Sequence, residues 1–337
     1  MNDVTVGIAS IGYYVPPLVH DADWIAAASG IPADVVRNKF GIHQVRRAGA
    51  GDSVSAMGVK AARDCLGGFD PAALDMVVYC GSEYKDYYLF NCAAQMAYEL
   101  GATNAAVFEV HNLCSGGVWS LKVLKAMMIQ DPALRHVLLI SSSREGDLID
   151  YQDTQSRFMF NFGDGAAAAL LERGCERNVI MESAMIVDGR FAKSVSLPSV
   201  GCEAFTMGDA PTPIDRHLRV SDAAQMKHDL DPITFDNFVA AIGSAARRSG
   251  FEAIDFLASI FMKRSILAEL LSRFGLTEAN THILEEYGHC QSADCFIALA
   301  RGEAAGALKP GDRAVLVSAG TGYTWAATAV RWGSPRG

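Results

Sequence analysis

The sequence predicts an α/β protein built around a mostly parallel sheet. Strand-like segments rich in Val, Ile and Ala alternate with helical patterns along the chain, and such alternation is typical of parallel sheets whose two faces are covered by helices. The alternation starts again in the second half of the chain, which suggests an internal duplication. With 337 residues, 50% of them hydrophobic, the chain is long enough to bury a large core.

The first half contains four predicted strands and two predicted helices. The strands cover residues 4–8, 74–80, 105–110 and 137–141, and the helices cover residues 91–100 and 118–129. A glycine-rich turn at residues 162–165 leads into a further apolar strand. We expect this strand to close the first half.

The second half repeats the pattern after an irregular stretch. Residues 189–227 contain three prolines and no clear periodicity, which predicts a long surface excursion that contributes to substrate binding. Beyond it, helices are predicted at residues 232–248, 265–274 and 292–301, and strands at residues 256–261 and 313–318.

Composition and charge exclude several classes of protein. The net charge of -9 argues against a nucleic-acid surface, because such surfaces are basic. No apolar run reaches membrane-spanning length, and the chain begins directly with a strand pattern instead of a secretory signal. The eight cysteines show no paired spacing, which favours a reducing cytoplasm over a disulfide framework and offers no metal site.

Cys114 is the strongest candidate for a reactive residue. It lies where a short apolar strand ends and an amphipathic helix begins. A helix start offers unpaired N–H groups and the positive end of the helix dipole, which favour a thiolate and lower its pKa. Two glycines follow at positions 116 and 117, and we expect them to let a substrate approach the backbone. The alternative interpretation is a buried cysteine that fills space.

Five motifs, taken in order, resemble the ketoacyl synthase III branch of the thiolase superfamily, which also contains the hydroxymethylglutaryl-CoA synthases. The resemblance extends over nearly the whole chain. The motifs are residues 6–17, residues 40–47 with 53–58, residues 112–117, residues 162–165 and residues 320–325.

The resemblance implies a five-layered αβαβα fold made of two similar halves, residues 1–175 and 176–337. It also implies a homodimer in which Cys114 takes an acyl group from a coenzyme A or acyl-carrier-protein thioester, without a separate cofactor or metal. The oxyanion of the reaction would be held by the backbone of Cys114 and of the loop Gly320, Thr321 and Gly322. In such an enzyme the thiolate splits acyl transfer into two steps.

Two positions depart from the pattern of this branch. Its thiolate has a histidine and an asparagine as partners, and here Ile260, or Phe261 if the register slips by one, occupies the histidine position. His289 occupies the asparagine position, where it can act as a base or as a donor to the thioester oxygen. The alternative for His289 is a structural histidine. Loss of one donor to an oxyanion typically costs about 3–4 kcal/mol, so ordinary malonyl condensation is in doubt unless a residue such as Lys263 substitutes.

Glu83 indicates a second enzymatic possibility. It lies in a Gly-Ser-Glu segment similar to one that carries the general acid/base glutamate of hydroxymethylglutaryl-CoA synthases. Desolvation would tune such a carboxyl group towards neutral pKa, and condensation without decarboxylation would follow. The alternatives are a solvent-facing glutamate at this position and a role for His111, three residues before the cysteine.

A third possibility is a non-catalytic or partner-dependent subunit of a heteromeric acyltransferase or thiolase complex, suggested by the missing family histidine. The resemblance also points to Lys39 and Arg157 as contacts of coenzyme A. Trp119, Phe205 and Met207 are candidates for the lining of an acyl tunnel.

Overall fold

The computed structural model describes residues 4–204 and 214–334. Its thirteen strands are β1 (Val6–Tyr14), β2 (Leu18–Asp21), β3 (Gln44–Arg47), β4 (Met76–Tyr79), β5 (Ala106–Glu109), β6 (His136–Ser143), β7 (Gly165–Arg173), β8 (Val179–Val187), β9 (Val195–Ser196), β10 (Arg219–Val220), β11 (Phe256–Ser259), β12 (Arg313–Gly320) and β13 (Thr324–Arg331). Its nine α-helices are α1 (Ala22–Ser29), α2 (Ala33–Val35), α3 (Val54–Leu66), α4 (Cys92–Leu100), α5 (Gly116–Gln130), α6 (Ala223–Gln225), α7 (Asp231–Arg248), α8 (Arg264–Arg273) and α9 (Asp294–Ala304). These counts refer to the two described ranges.

Nine strands form one sheet in the order β11-β12-β13-β8-β1-β7-β6-β4-β5. Pairing is parallel for β4 with β5 and β6 and for β11 with β12, and antiparallel at the other five junctions. The prediction of a mostly parallel sheet is therefore wrong. One reason is that β7 follows β6, and β13 follows β12, without an α-helix that would cross back over the sheet, so each of these two pairs runs antiparallel.

The helices divide the molecule into five layers. Helices α3 and α4 cover the outer face of the first-half strands, and α7 covers the outer face of the second-half strands, with α8 packed against α7. Helix α5 belongs to the first half but packs on β8, β12 and β13, whereas α9 belongs to the second half and packs on β1 and β7 as well as β11. The central pair α5 and α9 lies between the two sets of strands, which gives the αβαβα arrangement that the resemblance implied.

The same pairing pattern occurs twice. In the first half, β7 pairs antiparallel with both β1 and β6, and β6 lies next to the parallel β4; in the second half, β13 pairs antiparallel with both β8 and β12, and β12 lies next to the parallel β11. Within the sheet, the strands of the two halves are paired at a single register position, where Gly7 of β1 lies opposite Val179 of β8.

Asn178 joins three parts of the chain at this junction. Its side-chain amide donates to the carbonyl oxygen of Ile8 at 3.0 Å, and its side-chain oxygen accepts from the backbone N–H of Gly333 at 2.7 Å. The residue is 2% exposed and has φ +48°, a left-handed conformation that asparagine tolerates better than most residues. The beginning and the end of the described chain are thereby held to the crossing point of the halves.

Local signals explain most element boundaries. Asn91 and Ser53 accept hydrogen bonds from the N–H groups of Ala94 and Ala56, and so cap α4 and α3. The irregular stretch before residue 227 carries only the short strands β9 and β10 and short helical turns in its described part. In the described ranges, no helix has both the length and the apolar character needed to cross a membrane.

Candidate functional site

Cys114 lies in a tight turn between β5 and α5. The turn is a short 3₁₀ helix, Leu113–Ser115, and Leu113 takes the strained value φ +48°. The hydroxyl of Ser318 on β12 donates to the carbonyl oxygen of Cys114 at 2.6 Å, which ties the turn to the second half. The thiol is 4% exposed and borders the large cavity described below.

His289 and Asp294 extend from the thiol as a hydrogen-bonded chain. The Nε2 atom of His289 lies 3.2 Å from Sγ of Cys114, and its Nδ1 atom lies 2.6 Å from Oδ2 of Asp294. Because a carboxylate accepts the Nδ1 proton, Nε2 is the nitrogen that is free to accept the thiol proton. Cysteine, histidine and aspartate thus stand in the order of a nucleophilic triad.

Asp294 is fixed by its own partners. The backbone N–H groups of Phe261 and Cys290 donate to its two oxygens at 2.8 and 2.7 Å, and the residue is fully buried. The ring edge of Phe162 packs on the imidazole with 5.1 Å between centroids. The Phe-Gly-Asp-Gly motif also supports the histidine through the backbone, since the N–H of Gly163 donates to the carbonyl of His289 at 3.0 Å.

The pKa values of the pair are set by burial and by Asp294. Burial raises the pKa of the Cys114 thiol, and the neighbouring His289 opposes that effect. Burial would lower the pKa of His289, but the charges of Asp294 and of the Cys114 thiolate hold this pKa well above its usual value. The expected lowering of the cysteine pKa by the helix start is therefore not found. Instead, the structure supplies a base that is oriented to take the thiol proton.

The two glycines after Cys114 have a structural role that differs from the expected one. A Cβ atom on Gly116 would lie 2.8 Å from the carbonyl oxygen of Cys80, and one on Gly117 would lie 2.6 Å from that of Ser292. What approaches the glycines is therefore the protein itself and not a substrate. This close approach brings α5 against the segment that carries His289.

The loop at residues 320–322 lies beside the turn that carries Cys114. A Cβ atom on Gly320 would come within 2.9 Å of the carbonyl oxygen of Asn112, and Gly322 has φ +104° and faces the side chain of Leu113. Thr321 borders the cavity. The loop thus lies next to the turn that carries Cys114, where a group assigned to an oxyanion site would have to lie.

A cavity of about 1050 Å³ opens in front of Cys114. Tyr84, Tyr87, Tyr88 and Phe90 give part of its wall an aromatic character, and Glu83, Glu145 and Gln291 contribute polar groups. A cavity of this size and mixed character suits an organic substrate larger than an acetyl group.

Glu83 borders the cavity but is not tuned towards neutrality. Its carboxylate pairs with Nδ1 of His111, and this hydrogen bond lowers the pKa of Glu83 and raises that of His111. The side chain is 55% exposed. The desolvation that we expected from the sequence is outweighed by the pairing.

Glu145 and Gln291 are two site residues that the sequence analysis missed. Oε1 of Glu145 accepts from the hydroxyl of Ser82 at 2.7 Å and from the side-chain amide of Gln291 at 3.2 Å. Burial raises the pKa of Glu145. Gln291 has φ +57°, so a strained backbone holds its amide in this position.

Other candidates lie outside the cavity wall. Lys39 and Arg157 are exposed, on turns that pack around the apolar cluster containing Phe162. Lys263 is exposed at the start of α8, and Ile260 is 9% exposed at the end of β11. Trp119 is half-buried on α5, while Phe205 and Met207 lie outside the described residues. In the described ranges, no three His, Cys, Asp or Glu side chains are grouped to hold a metal ion.

Asp294 is the functional residue whose absence from the sequence analysis matters most. The sequence offered no distinct signal for it, since an aspartate in the first turn of a helix, as Asp294 is in α9, is common. Burial of aspartate normally requires a specific partner, and here that partner is the imidazole.

Comparison with known proteins places this geometry in context. The family models described as 3-oxoacyl-[acyl-carrier-protein] synthase III and as its C-terminal part match residues 108–189 and 246–332. Together they cover half of the chain.

Individual relatives match over nearly the full length. The chain is 27% identical to a β-ketoacyl-[acyl-carrier-protein] synthase III of Clostridium tetani, over 98% of this chain and 100% of that protein. It is 28% identical to a second such protein, from Deinococcus radiodurans, over 98% and 95%. The crystal structure of the priming β-ketosynthase of the R1128 polyketide pathway superposes with a TM-score of 0.85 at 24% identity, over 98% of this chain and 97% of that one.

Proposed function

Since this chain belongs to the 3-oxoacyl-[acyl-carrier-protein] synthase III family of the thiolase superfamily, we propose that Cys114 is the nucleophile on which it carries its acyl group. The chain is an acyltransferase of the class that condenses or transfers acyl thioesters. The assignment of Cys114, His289 and Asp294 to that reaction is our inference.

The observation that carries the proposal is the 3.2 Å contact between the thiol and an imidazole that is itself bonded to a buried carboxylate. The thiol proton moves to Nε2 of His289, and the thiolate attacks the carbonyl carbon of the incoming thioester. The bond from that carbon to the donor's sulfur then breaks, and the donor leaves as a thiol that takes the proton from Nε2. Asp294 does not touch the substrate. It is a positioning residue that fixes the tautomer of His289 and stabilises the imidazolium.

The oxyanion formed in this step needs fixed donors. The backbone N–H of Cys114 and the loop of Gly320, Thr321 and Gly322 are the groups that we assign to it. Their support is the contact of Gly320 with the segment around Asn112 and the position of Thr321 on the cavity wall. Preorganised backbone donors of this kind typically supply about 3–4 kcal/mol of transition-state stabilisation.

We assign the donor thioester to coenzyme A or an acyl carrier protein; the names of the relatives mention the acyl carrier protein, and coenzyme A follows from the resemblance. Lys39 and Arg157 remain our candidates for contacts with coenzyme A, and a homodimer remains our proposal for the assembly. We also propose that the chain divides into two similar halves between residues 175 and 176, and the strand pairing that is repeated in the two halves supports this division. Eight free cysteines support a reducing, cytoplasmic location.

A condensation that uses Glu83 as its acid or base is less well supported. The ion pair with His111 lowers the pKa of this carboxyl group, so Glu83 is ionised at neutral pH and is a weak base. A purely structural subunit is disfavoured as well, because the hydrogen-bonded chain behind Cys114 is complete.

Intact-protein mass spectrometry tests the proposal. The wild-type protein is incubated with acetyl-, malonyl-, succinyl- and longer acyl-CoA, and we expect a single acyl adduct that is lost in Cys114→Ala. Cys202→Ala is the matched control, because this cysteine is exposed and does not border the cavity. An adduct that survives in Cys114→Ala and disappears in Cys202→Ala, or no adduct from any donor, contradicts the proposal.

A further inference from the structure

The cavity wall beside Cys114 carries a carboxylate with a free acceptor atom. Within the described residues, the side-chain donors to Glu145 both engage Oε1. Oε2 has no protein donor there, and it is not fully buried. Glu145 lines the same cavity as Cys114 and Gln291. Its second oxygen is thus available to a hydrogen-bond donor on a bound molecule.

Hydrogen bonds of the neighbouring backbone fix the position of Glu145, and another fixes the side chain of Gln291. The backbone N–H of the next residue, Gly146, donates to Asp164 at 3.0 Å, and that of Glu145 itself donates to the hydroxyl of Ser143 at 3.3 Å. The side-chain oxygen of Gln291 accepts from the backbone N–H of Ser292 at 3.2 Å. A polar pair fixed in this way is preorganised to orient a ligand.

An anionic carbon nucleophile fits this wall poorly. Oε2 of Glu145 offers these anions, the carboxylate of a malonyl group and the enolate that decarboxylation leaves, no N–H donor. Lys85, which is paired with Glu109, and Arg216 are the cations on the same wall. The position where the family pattern has a histidine donor carries Ile260, an apolar side chain that is 9% exposed. An enolate oxygen would therefore lack one of its two expected donors.

A hydroxyl or amino group fits the same wall well. On an acceptor molecule with a second hydroxyl or with an amino group, one proton is donated to Oε2 of Glu145, while the reacting oxygen or nitrogen keeps a proton of its own and directs a lone pair at the thioester carbon. The oriented imidazole of His289 is a base of the kind that activates O–H and N–H nucleophiles.

We infer that Glu145 and Gln291 form an acceptor subsite beside Cys114, and that the acyl group passes from Cys114 to the oxygen or nitrogen of an alcohol or amine instead of to carbon. This inference rests on the proposed acyl-Cys114 intermediate. The acceptor lone pair forms a bond to the carbonyl carbon, and the bond from that carbon to Sγ breaks. The acceptor proton moves to Nε2 of His289 and from there to the departing sulfur, so the products are an ester or amide and the free thiol.

A two-stage experiment separates this inference from the proposed function. In the first stage, acyl-Cys114 is formed from acyl-CoA and isolated by gel filtration; failure here contradicts the proposed function and not the choice of acceptor. In the second stage, loss of the adduct is followed by mass spectrometry with water alone, glycerol, methyl glucoside, ethanolamine, tyramine or malonyl-CoA. We expect faster discharge with at least one hydroxyl or amino compound than with water, with an ester or amide product.

Malonyl-CoA is the decisive competitor. Release of CO₂ with a 3-oxoacyl product at a rate above that of ester or amide formation overturns the inference, as does discharge that no member of the panel accelerates over water. The converse variant Ile260→His restores a donor side chain at the position where the family pattern has one, and we expect it to increase malonyl decarboxylation over the wild type.

Glu145→Gln tests the subsite itself. Loss of the acceptor atom Oε2 predicts about a tenfold or greater fall in discharge of the isolated acyl-Cys114 to the acceptor. Because discharge is measured on an adduct formed beforehand, an effect of the variant on acylation does not enter this rate. Glu176→Gln removes an exposed carboxylate outside the cavity wall and serves as the control. Unchanged discharge in Glu145→Gln overturns the subsite. If this variant does not fold, the wild-type partition between acceptors still decides the acceptor class.

Discussion

At the scale of single residues, the proposed chemistry depends on a carboxylate to which we assign no contact with the substrate. Asp294 contacts Nδ1 of His289 and the backbone N–H groups of Phe261 and Cys290. Without it, the imidazole would have no fixed tautomer, and the buried thiol, whose pKa is raised by its surroundings, would have no oriented base. The reactivity of Cys114 therefore depends on a residue 180 positions away in the sequence.

Asp294→Asn is expected to slow acylation by about 10³- to 10⁴-fold and to move its pH dependence. The carboxylate favours the charged imidazolium and so raises the pKa of His289. Its removal lowers that pKa, so the acid limb of the rate profile should shift to lower pH. Single-turnover acylation monitored between pH 5 and 9 provides the measurement.

The direction of this shift distinguishes positioning from a merely structural role. A variant that is only less well folded would lose rate equally at all pH values and would leave the acid limb unmoved. Ser318→Ala is a suitable comparison, since it removes the hydrogen bond to the Cys114 carbonyl but no charge. An acid limb that stays in place in Asp294→Asn contradicts the role given to Asp294.

At the scale of elements, the site exists because α5 and the start of α9 approach closely. Gly117 allows this approach, since any Cβ atom there would lie 2.6 Å from the backbone oxygen of Ser292 and 2.8 Å from the ring of Phe296. Both contacts involve groups inside the core, which cannot yield easily.

Gly117→Ala is expected to destabilise the protein by about 1–3 kcal/mol, as overpacking of a core does, and to reduce acylation because α5 moves away from His289. Gly243→Ala in α7 is the control: its Cβ meets only the flexible end of Arg247, so we expect a gain of up to about 1 kcal/mol from the better helix former. Urea unfolding measures both. Equal stability of the two variants would show that the helices do not constrain each other at this point.

Elements of strong local character were predicted well from the sequence. Helices α4, α5, α7 and α8 and strands β5, β6 and β12 lie within a few residues of their predicted bounds, because periodicity and caps act locally. The relative direction of neighbouring strands was predicted wrongly. It depends on which strands follow each other without an α-helix between them, and the sequence pattern does not show which of those strands become neighbours. Glu145 and Gln291 were missed for a similar reason: each is an ordinary polar residue until the chain brings residues 145 and 291 together.

At the scale of the whole molecule, the two halves are interleaved instead of merely adjacent. The central helices α5 and α9 each pack on strands of the opposite half, and Asn178 connects the first strand with the end of the chain. We therefore expect cooperative unfolding of both halves as one unit.

Asn178→Ala is expected to cost about 2–4 kcal/mol, because it leaves buried backbone groups unpaired and forces alanine into a left-handed conformation. Asn178→Gly keeps the conformation accessible and loses only the hydrogen bonds, so its loss should be smaller. Urea unfolding followed by circular dichroism and by tryptophan fluorescence gives both free energies. Two separate transitions in the wild type, or no loss in Asn178→Ala, would contradict this description of the junction.

The 175 positions that separate Cys114 from His289 also bear on the protein while it is being made. Domains and their parts emerge from the ribosome in order, so a nascent chain contains Cys114 long before it contains His289 and Asp294. Premature termination before residue 294 leaves a thiol with no oriented proton acceptor. If Cys114, His289 and Asp294 act as we propose, we expect incomplete copies to be acylated more slowly than finished molecules.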